Sequence, residues 1–302
     1  MLLAIDVGNS NTVLGLYRAV AQESRGSGPD IYAAAPGETA PDAAAHRFAT
    51  ELAGHWRITT PDARTTDEFG VLLGSLFDLS GIGMTEVTGI AISSVVPPLD
   101  STLRQVCEQF FKLRPLFIEP GVKTGLPVLT DNPSEVGADR IVNCVAAYER
   151  FKGACIVVDM GTATTFDVVS PKGEFLGGAI APGLGISADA LFTRAARLPR
   201  IDVRKPARVI GTGTVDNIQI GLYYGYIGLV DGILARMIEQ MHADHGADCQ
   251  IRTIATGGLA KLIAGGSRYI GTVDEMLTLT GLRIIYERNL ERQEKHQRRR
   301  MA

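Results

Sequence analysis

IDVGNSNTVLGLY covers residues 5–17, and VDMGTATTFDVVS covers residues 158–170. In each stretch a β-branched run ends in an aspartate, Asp6 or Asp159. One apolar residue, a glycine (Gly8 or Gly161) and a cluster of hydroxyl or amide side chains follow, and then a second apolar run. Short apolar runs bounded by turn residues read as strands, so each stretch is expected to form a β-hairpin. A tight turn presents backbone N–H groups to an anion, and glycine permits conformations that a side chain would obstruct. Ser10, Asn11 and Thr12 in the first copy, and Thr162, Thr164 and Thr165 in the second, add neutral donors. A single Asp-x-Gly is usually a strand-to-turn junction whose carboxylate accepts from turn amides. Two matched copies point instead to two hairpins gripping phosphates across a cleft. Asp6 is placed to hold Mg²⁺, which takes oxygen ligands and keeps several waters.

Around these hairpins, strands and helices alternate, and the alternation starts twice. In the first half, strands are expected at 2–6, 12–17, 46–50, 88–93 and 115–119. Helices are expected at 67–79 and from Pro98 to Phe110, with Pro98 in the first turn. Residues 19–45, rich in Ala, Gly, Pro and Ser without periodicity, read as an insertion. After Gly121 the pattern restarts. A helix is expected over 138–151, with Ile141, Val142, Val145 and Tyr148 facing a core. Strands follow at 155–159, 164–169, 174–180 and 251–255, with a long helix at 222–241. LYYGYIGLVDG, residues 222–232, is apolar almost all round, which fits either a dimer surface or core. MHADHG, with His242 and His245, reads as a surface turn. The expected fold is therefore α/β, in two related domains, 1–121 and 122–302, with the active-site cleft between them.

Composition excludes several function classes. The chain has 302 residues, 45% hydrophobic and 21% charged, with a net charge of −3. That is ordinary for a globular protein and gives no ground for a nucleic-acid or membrane partner. The arginines of the terminal ERNLERQEKHQRRRMA lack interleaved aromatics, which argues against a nucleic-acid arm. Cys107, Cys144, Cys155 and Cys249 show no CxxC spacing and read as reduced thiols of a cytoplasmic protein. No stretch resembles a signal peptide, and no uncharged apolar run reaches the roughly 18 residues of a membrane span. Other nucleotide signatures are missing: there is no GxxxxGK[ST] and no GxGxxG after a strand. DEFG at 67–70 has no HRD loop to make it a protein-kinase motif.

The doubled hairpin resembles the phosphate-binding motifs of the acetate kinase, sugar kinase, Hsp70 and actin superfamily. ATGGLA, residues 255–260, resembles the superfamily's Gly-Gly element beside the adenosine. A more specific resemblance lies between the halves. DNPSEVGADRIVN, residues 131–143, is similar to the substrate-side motif of type III pantothenate kinases. KTGLPV (123–128), HWRITT (55–60), TTDEFG (65–70) and LPRIDVRKP (198–206) extend the match over most of the chain outside 19–45.

The resemblance implies an actin-like/ribonuclease H-like topology and transfer of phosphate from ATP to pantothenate, the first step of coenzyme A biosynthesis. It implies Asp139 as catalytic base. An ordinary carboxylate suffices, because a loose phosphoryl-transfer transition state needs the alcohol's proton removed only late. It places ATP at Asp6, Val7, Gly8, Asn9, Ser10, Asn11, Thr12, Val13, Thr162, Gly257 and Gly258. Pantothenate falls to Thr130, Gly137, Ala138, Asp139 and Arg140, with Thr214 reaching in from a partner subunit. Arg140 is suited to bidentate pairing with the pantothenate carboxylate. The resemblance also implies a monovalent cation, K⁺ or NH₄⁺, at Asp159 beside Mg²⁺ at Asp6. It further implies a homodimer with the active site at the interface and indifference to feedback by coenzyme A. One position departs from the family pattern: Thr130 stands where many relatives carry tyrosine. Two rivals are another kinase of the superfamily and a nucleotide-binding regulator without turnover. The GADR stretch opposes the first, and the full set Asp6, Asp139, Arg140 and Asp159 opposes the second.

Overall fold

Both hairpins form, and each is the middle of a five-stranded sheet. The computed structural model describes residues 1–20, 49–61, 63–195 and 198–301. The expected insertion at 19–45, and the start of the strand expected at 46–50, lie mostly outside them. The chain divides into two units: Met1–Val122 together with Leu282–Ala302, and Lys123–Gly281. The first unit contains β1 (Leu2–Val7), β2 (Asn11–Val20), β3 (Ala49–Thr59), β4 (Gly89–Ser94) and β5 (Leu116–Phe117), in the order β3-β2-β1-β4-β5. The second contains β6 (Cys155–Met160), β7 (Ala163–Val169), β8 (Phe175–Pro182), β9 (Arg252–Thr256) and β10 (Thr272–Val273), in the order β10-β9-β6-β7-β8. Read from opposite edges, the two orders are the same. In each, three strands form an antiparallel meander, and two more join the first strand's free edge in parallel.

Strand alternation decides which side of each sheet meets which helix. In the first unit, Leu3, Ile5, Val7, Leu14, Leu16, Ile90 and Ile92 share one face. They form a core with Phe69, Leu73 and Phe77 of α1 (Thr66–Leu79) and Leu99 and Leu103 of α2 (Pro97–Val106). A capping box starts α1: Thr65 Oγ1 accepts from Glu68 N, and Glu68 Oε2 accepts from Thr65 N at 2.8 Å. The opposite face carries Ala4, Gly15, Gly89 and Ala91. A Cβ on Gly89 would strike the Tyr286 ring of α7 (Leu277–Met301).

In the second unit, Ile156, Val158, Phe166 and Val168 pack with Val230 and Leu234 of α5 (Thr214–His245) and Ile263 of α6 (Ala260–Ala264). The opposite face is covered by α3 (Ala138–Phe151), which packs on β6 and β7. After β8, α4 (Leu184–Arg194) completes the unit.

Several expectations need correcting in extent. The strand expected at 46–50 is β3, which runs on through HWRIT to Thr59. The turn expected at MHADHG is the last turn of α5, where His242 Nε2 lies 3.2 Å from the Cys249 carbonyl oxygen. The helix expected through Phe110 changes at Cys107 into a π-helical turn that ends at Phe111, before left-handed Lys112 (φ 57°). By length and composition α5 could cross a membrane. Its apolar character is used in the core, where Tyr223, Tyr226, Ile227, Val230 and Leu234 are buried. All four cysteines are unpaired. Burial pushes the thiols of Cys107 and Cys155 up to about 12 and keeps them inert.

Candidate active site

The candidate residues fall into two groups, one in each unit. In the first, Asp6 and Val7 end β1, Gly8, Asn9 and Ser10 form the turn, and Asn11, Thr12 and Val13 open β2. The Gly8 amide donates to the Asn11 carbonyl at 3.0 Å, and the Thr60 amide donates to the Ser10 carbonyl at 3.1 Å. A Cβ on Gly8 would sit 3.2 Å from Asn11 O, so the turn closes tightly around a bare glycine. Asn9, Ser10 and Asn11 are exposed, as donors for a ligand must be. Thr12 is different. Its hydroxyl is fully buried and lies 2.9 Å from that of Thr60.

The second hairpin repeats this plan with a shorter turn. Thr162 is exposed at its tip. Thr164 is buried and shares a hydrogen bond with the Tyr226 hydroxyl, the counterpart of the Thr12–Thr60 pair. Asp159 ends β6, as Asp6 ends β1. Its Oδ2 accepts from Asn143 Nδ2 at 3.0 Å, and Asn143 Oδ1 accepts from Thr278 Oγ1 at 2.7 Å. Asn143 is fully buried, so this chain fixes the Asp159 carboxylate. Gly257, at the end of β9, has φ 93°. A Cβ there would lie 2.6 Å from Met160 O and 2.8 Å from Asp159 Oδ1. Two oxygens therefore converge beside a glycine that cannot be replaced without a collision. A carboxylate and a carbonyl of this kind fit a monovalent cation. Among the described residues, no group of three or more His, Cys, Asp or Glu side chains converges on a metal.

Asp139 and Arg140 stand at the start of α3, where Gly137 is the N-cap and offers no side-chain cap. The Arg140 amide donates to Asp139 Oδ1 at 2.8 Å. The helix N-terminus favours a negative charge here, but burial is the larger effect and raises the Asp139 carboxyl above its ordinary value. Arg140 turns back onto β7. Its Nε and Nη2 reach Asp167 Oδ1 at 2.8 and 2.6 Å, while Asp167 Oδ2 accepts from Thr165 Oγ1 at 3.0 Å. Asp167 is wholly buried, and burial raises its carboxyl against the pull of Arg140.

Leu129 N donates to Phe175 O at 2.9 Å, which ties the approach to Thr130 against β8. The Thr130 hydroxyl oxygen is buried without a hydrogen-bond partner. Thr214 is exposed, at the first turn of α5. Gly258 follows Gly257 and is exposed. Sequence reading passed over Asp167, Asn143, Thr278 and Gly183. The Gly183 amide donates to Thr162 O at 3.1 Å, and a Cβ on Gly183 would strike that same carbonyl. For Asp167 there was a signal: a charged residue inside TTFDVV, where every neighbouring position reads as strand interior.

A family model described as type III pantothenate kinase matches residues 2–236. Over 289 residues the chain is 55% identical to a type III pantothenate kinase of Koribacter versatilis, covering 96% of each chain. It is 52% identical over 295 residues to one of Acidobacterium capsulatum, covering 98% of this chain and 97% of that one. Among solved structures, one from Campylobacter jejuni, described as a Baf family transcriptional activator, superposes with a TM-score of 0.54 at 18% identity. That match covers 96% of this chain and 99% of the other, and it shows a shared fold.

Proposed function

The chain belongs to the type III pantothenate kinase family, and on that premise we propose a role for each part of its site. The chain transfers phosphate from ATP to pantothenate, giving 4′-phosphopantothenate, the first step of coenzyme A biosynthesis. The observation that carries the residue assignment is Asp139, half-buried at the start of α3 with the Arg140 amide fixing one carboxylate oxygen. The acceptor hydroxyl oxygen attacks the γ-phosphorus, the bond to ADP breaks, and Asp139 takes the hydroxyl proton late.

Asp6–Val13, Thr162, Gly257 and Gly258 take ATP. The exposed turn residues 9–11 meet its phosphates, while Thr12 contributes through its place in the strand, since its hydroxyl is engaged with Thr60. Asp6 holds Mg²⁺, which neutralises phosphate charge when bound. Asp159 holds K⁺ or NH₄⁺ together with the Met160 carbonyl. Thr130, Gly137, Ala138, Asp139 and Arg140 take pantothenate. The unpartnered Thr130 hydroxyl supports this, because a buried polar group without a partner is costly unless a ligand satisfies it.

The enzyme acts as a homodimer, with Thr214 of one protomer completing its partner's site. Gly221, Gly225 and Gly228 support this. They lie along α5, are exposed, and have nothing within 4 Å of a would-be Cβ. Each glycine costs a helix about 1 kcal/mol relative to alanine, a cost that close approach of another helix offsets. Gly225→Leu should shift the dimer to monomer in sedimentation and lower turnover; an unchanged dimer would remove this surface from the interface. The unpaired thiols suit a reducing compartment, the cytoplasm.

The test of the whole reading is direct. Purified protein with Mg-ATP, K⁺ and pantothenate should give 4′-phosphopantothenate by mass spectrometry, and Asp139→Asn should not. Product from both proteins would remove Asp139 as the base.

A further inference from the structure

A guanidinium carries five N–H groups in a rigid fork with two usable edges. In Arg140 the side-on edge is filled: Nε and Nη2 both meet Asp167 Oδ1. Nη1 meets no hydrogen-bond partner among the described residues. With the second N–H of Nη2 it forms the end-on edge. The Phe175 ring, 5.7 Å from the guanidinium carbon, restrains the plane further. Asp167 is itself fixed. It sits in the middle of β7, paired across to Val157 and Gly178, with Thr165 on its other oxygen.

Stability alone does not account for this arrangement. A buried ion pair often holds a fold no better than an apolar pair of the same volume. This pair stands one residue from Asp139, and its arginine side chain keeps 16% exposure while the aspartate has none. The exposed part of the pair is the part that could meet a ligand.

We propose that Asp167 is a positioning residue of the acceptor site, holding the side-on edge of Arg140 so that the end-on edge is presented to the carboxylate of pantothenate. This rests on the reading of Arg140 as the carboxylate's partner. Pinning the guanidinium before substrate arrives removes the rotamer freedom that a long side chain otherwise loses on binding. Because Asp167 offsets much of the arginine's charge, recognition depends on the direction of the remaining N–H groups more than on long-range attraction.

The test is a double-mutant cycle in the full-length protein, read as separate KM and kcat values. Asp167→Ala should raise the KM for pantothenate about tenfold or more, the scale of a lost hydrogen bond to a charged group. The KM for ATP and kcat should stay within about twofold, since an interaction lost equally from ground and transition states moves KM alone. Arg140→Ala should raise the pantothenate KM as well, and Asp167→Ala should add nothing in the Arg140→Ala background, because it acts through that arginine. Penalties that add in the double variant, or a loss spread equally over kcat and the KM for ATP, would overturn the proposal. An unchanged pantothenate KM in Arg140→Ala would instead remove the reading of Arg140 beneath it. If Asp167→Ala fails to bind ATP as a folded protein, Asp167→Asn replaces it in the same cycle and is judged by the same additivity.

Discussion

The two hairpins share strand order, register and buried threonines, and they differ by one residue in the turn. Val7 pairs with Thr12 around turn residues 8–11, while Met160 pairs with Thr164 around 161–163. Beyond the turn, the frames of the two copies are therefore offset by one. Thr12 matches Thr164, and Gly15, opposite Ala4, matches Asp167, opposite Val157. At this place the first sheet has only Gly15 between Ala4 and its neighbours. The second carries the buried Asp167 carboxylate, which Arg140 of α3 reaches, while Asn143 of the same helix reaches Asp159. The first copy keeps its turn on a support without that carboxylate. The second adds an ionic cluster next to Asp139. The difference lies in which polar groups the covering helix brings to the sheet.

Asp139→Asn is the change that most sharply breaks or sustains that division. Loss of a general base costs about 10²–10⁴ in rate, so kcat should fall by that factor while nucleotide titration shows ATP still bound. Burial raises this carboxyl, so the acid limb of kcat against pH should sit above that of an ordinary aspartate. The same shift has a sign for stability. A carboxyl whose folded pKa exceeds its unfolded value contributes stability below the unfolded pKa and loses it as pH rises through the folded one. The asparagine variant should therefore melt above wild type at neutral pH, with the gap closing as pH falls below the ordinary carboxyl range. A variant that melts lower at neutral pH would mean that the helix N-terminus outweighs burial.

Next in size is Asn143→Ala, which removes the strut from Asp159. Two half-buried groups, the Asp159 carboxylate and the Thr278 hydroxyl, each lose a partner, at up to about 1–3 kcal/mol per unsatisfied group. Denaturant unfolding should show that loss. If Asp159 holds the cation, the K⁺ concentration for half-maximal activity should rise as well. Loss of stability with no change in K⁺ dependence would leave Asn143 a strut of the fold and nothing more. The first copy offers a contrast: Ser93, the parallel neighbour of Asp6, has a buried hydroxyl without a partner.

How much of this was legible in the sequence follows from the same comparison. Both hairpins could be read because apolar runs, aspartates and glycines recur in the same order. The extent of α3 could be read because its apolar positions keep helical spacing from Ala138 to Phe151. Asp167 could not be placed, because an ungapped alignment of the two stretches sets it against Leu14, a core residue. Only the register shows that the shorter turn moves it to the opposite face. Asn143 lay inside the quoted motif, but its partners Asp159 and Thr278 come from distant segments, and no local pattern joins them. α4, α6 and β10 are short pieces without a period to detect. Gly221, Gly225 and Gly228 and the polar GTGTVDN start weaken the helical signal of α5, so the sequence predicts only 222–241 of Thr214–His245.

The smallest expected effect tests whether the two frames are equivalent at all. Thr12→Val and Thr164→Val each remove a fully buried hydroxyl and keep nearly the same volume. Each leaves one hydroxyl behind, Thr60 in the first unit and Tyr226 in the second. A typical hydrogen bond contributes about 1 kcal/mol net, so both variants should lose stability by about that amount in denaturant unfolding. Matched losses would mean that the threonines do the same work, tying the end of each hairpin to its own unit. If Thr12→Val also weakened ATP binding, its hydroxyl would have to leave Thr60 for the nucleotide, and the copies would part here as well as at Asp167. If Thr164→Val lost far more than Thr12→Val, the Tyr226 hydroxyl would have no other acceptor once the threonine is gone. The second hairpin would then depend on α5 in a way that the first does not depend on the loop after β3.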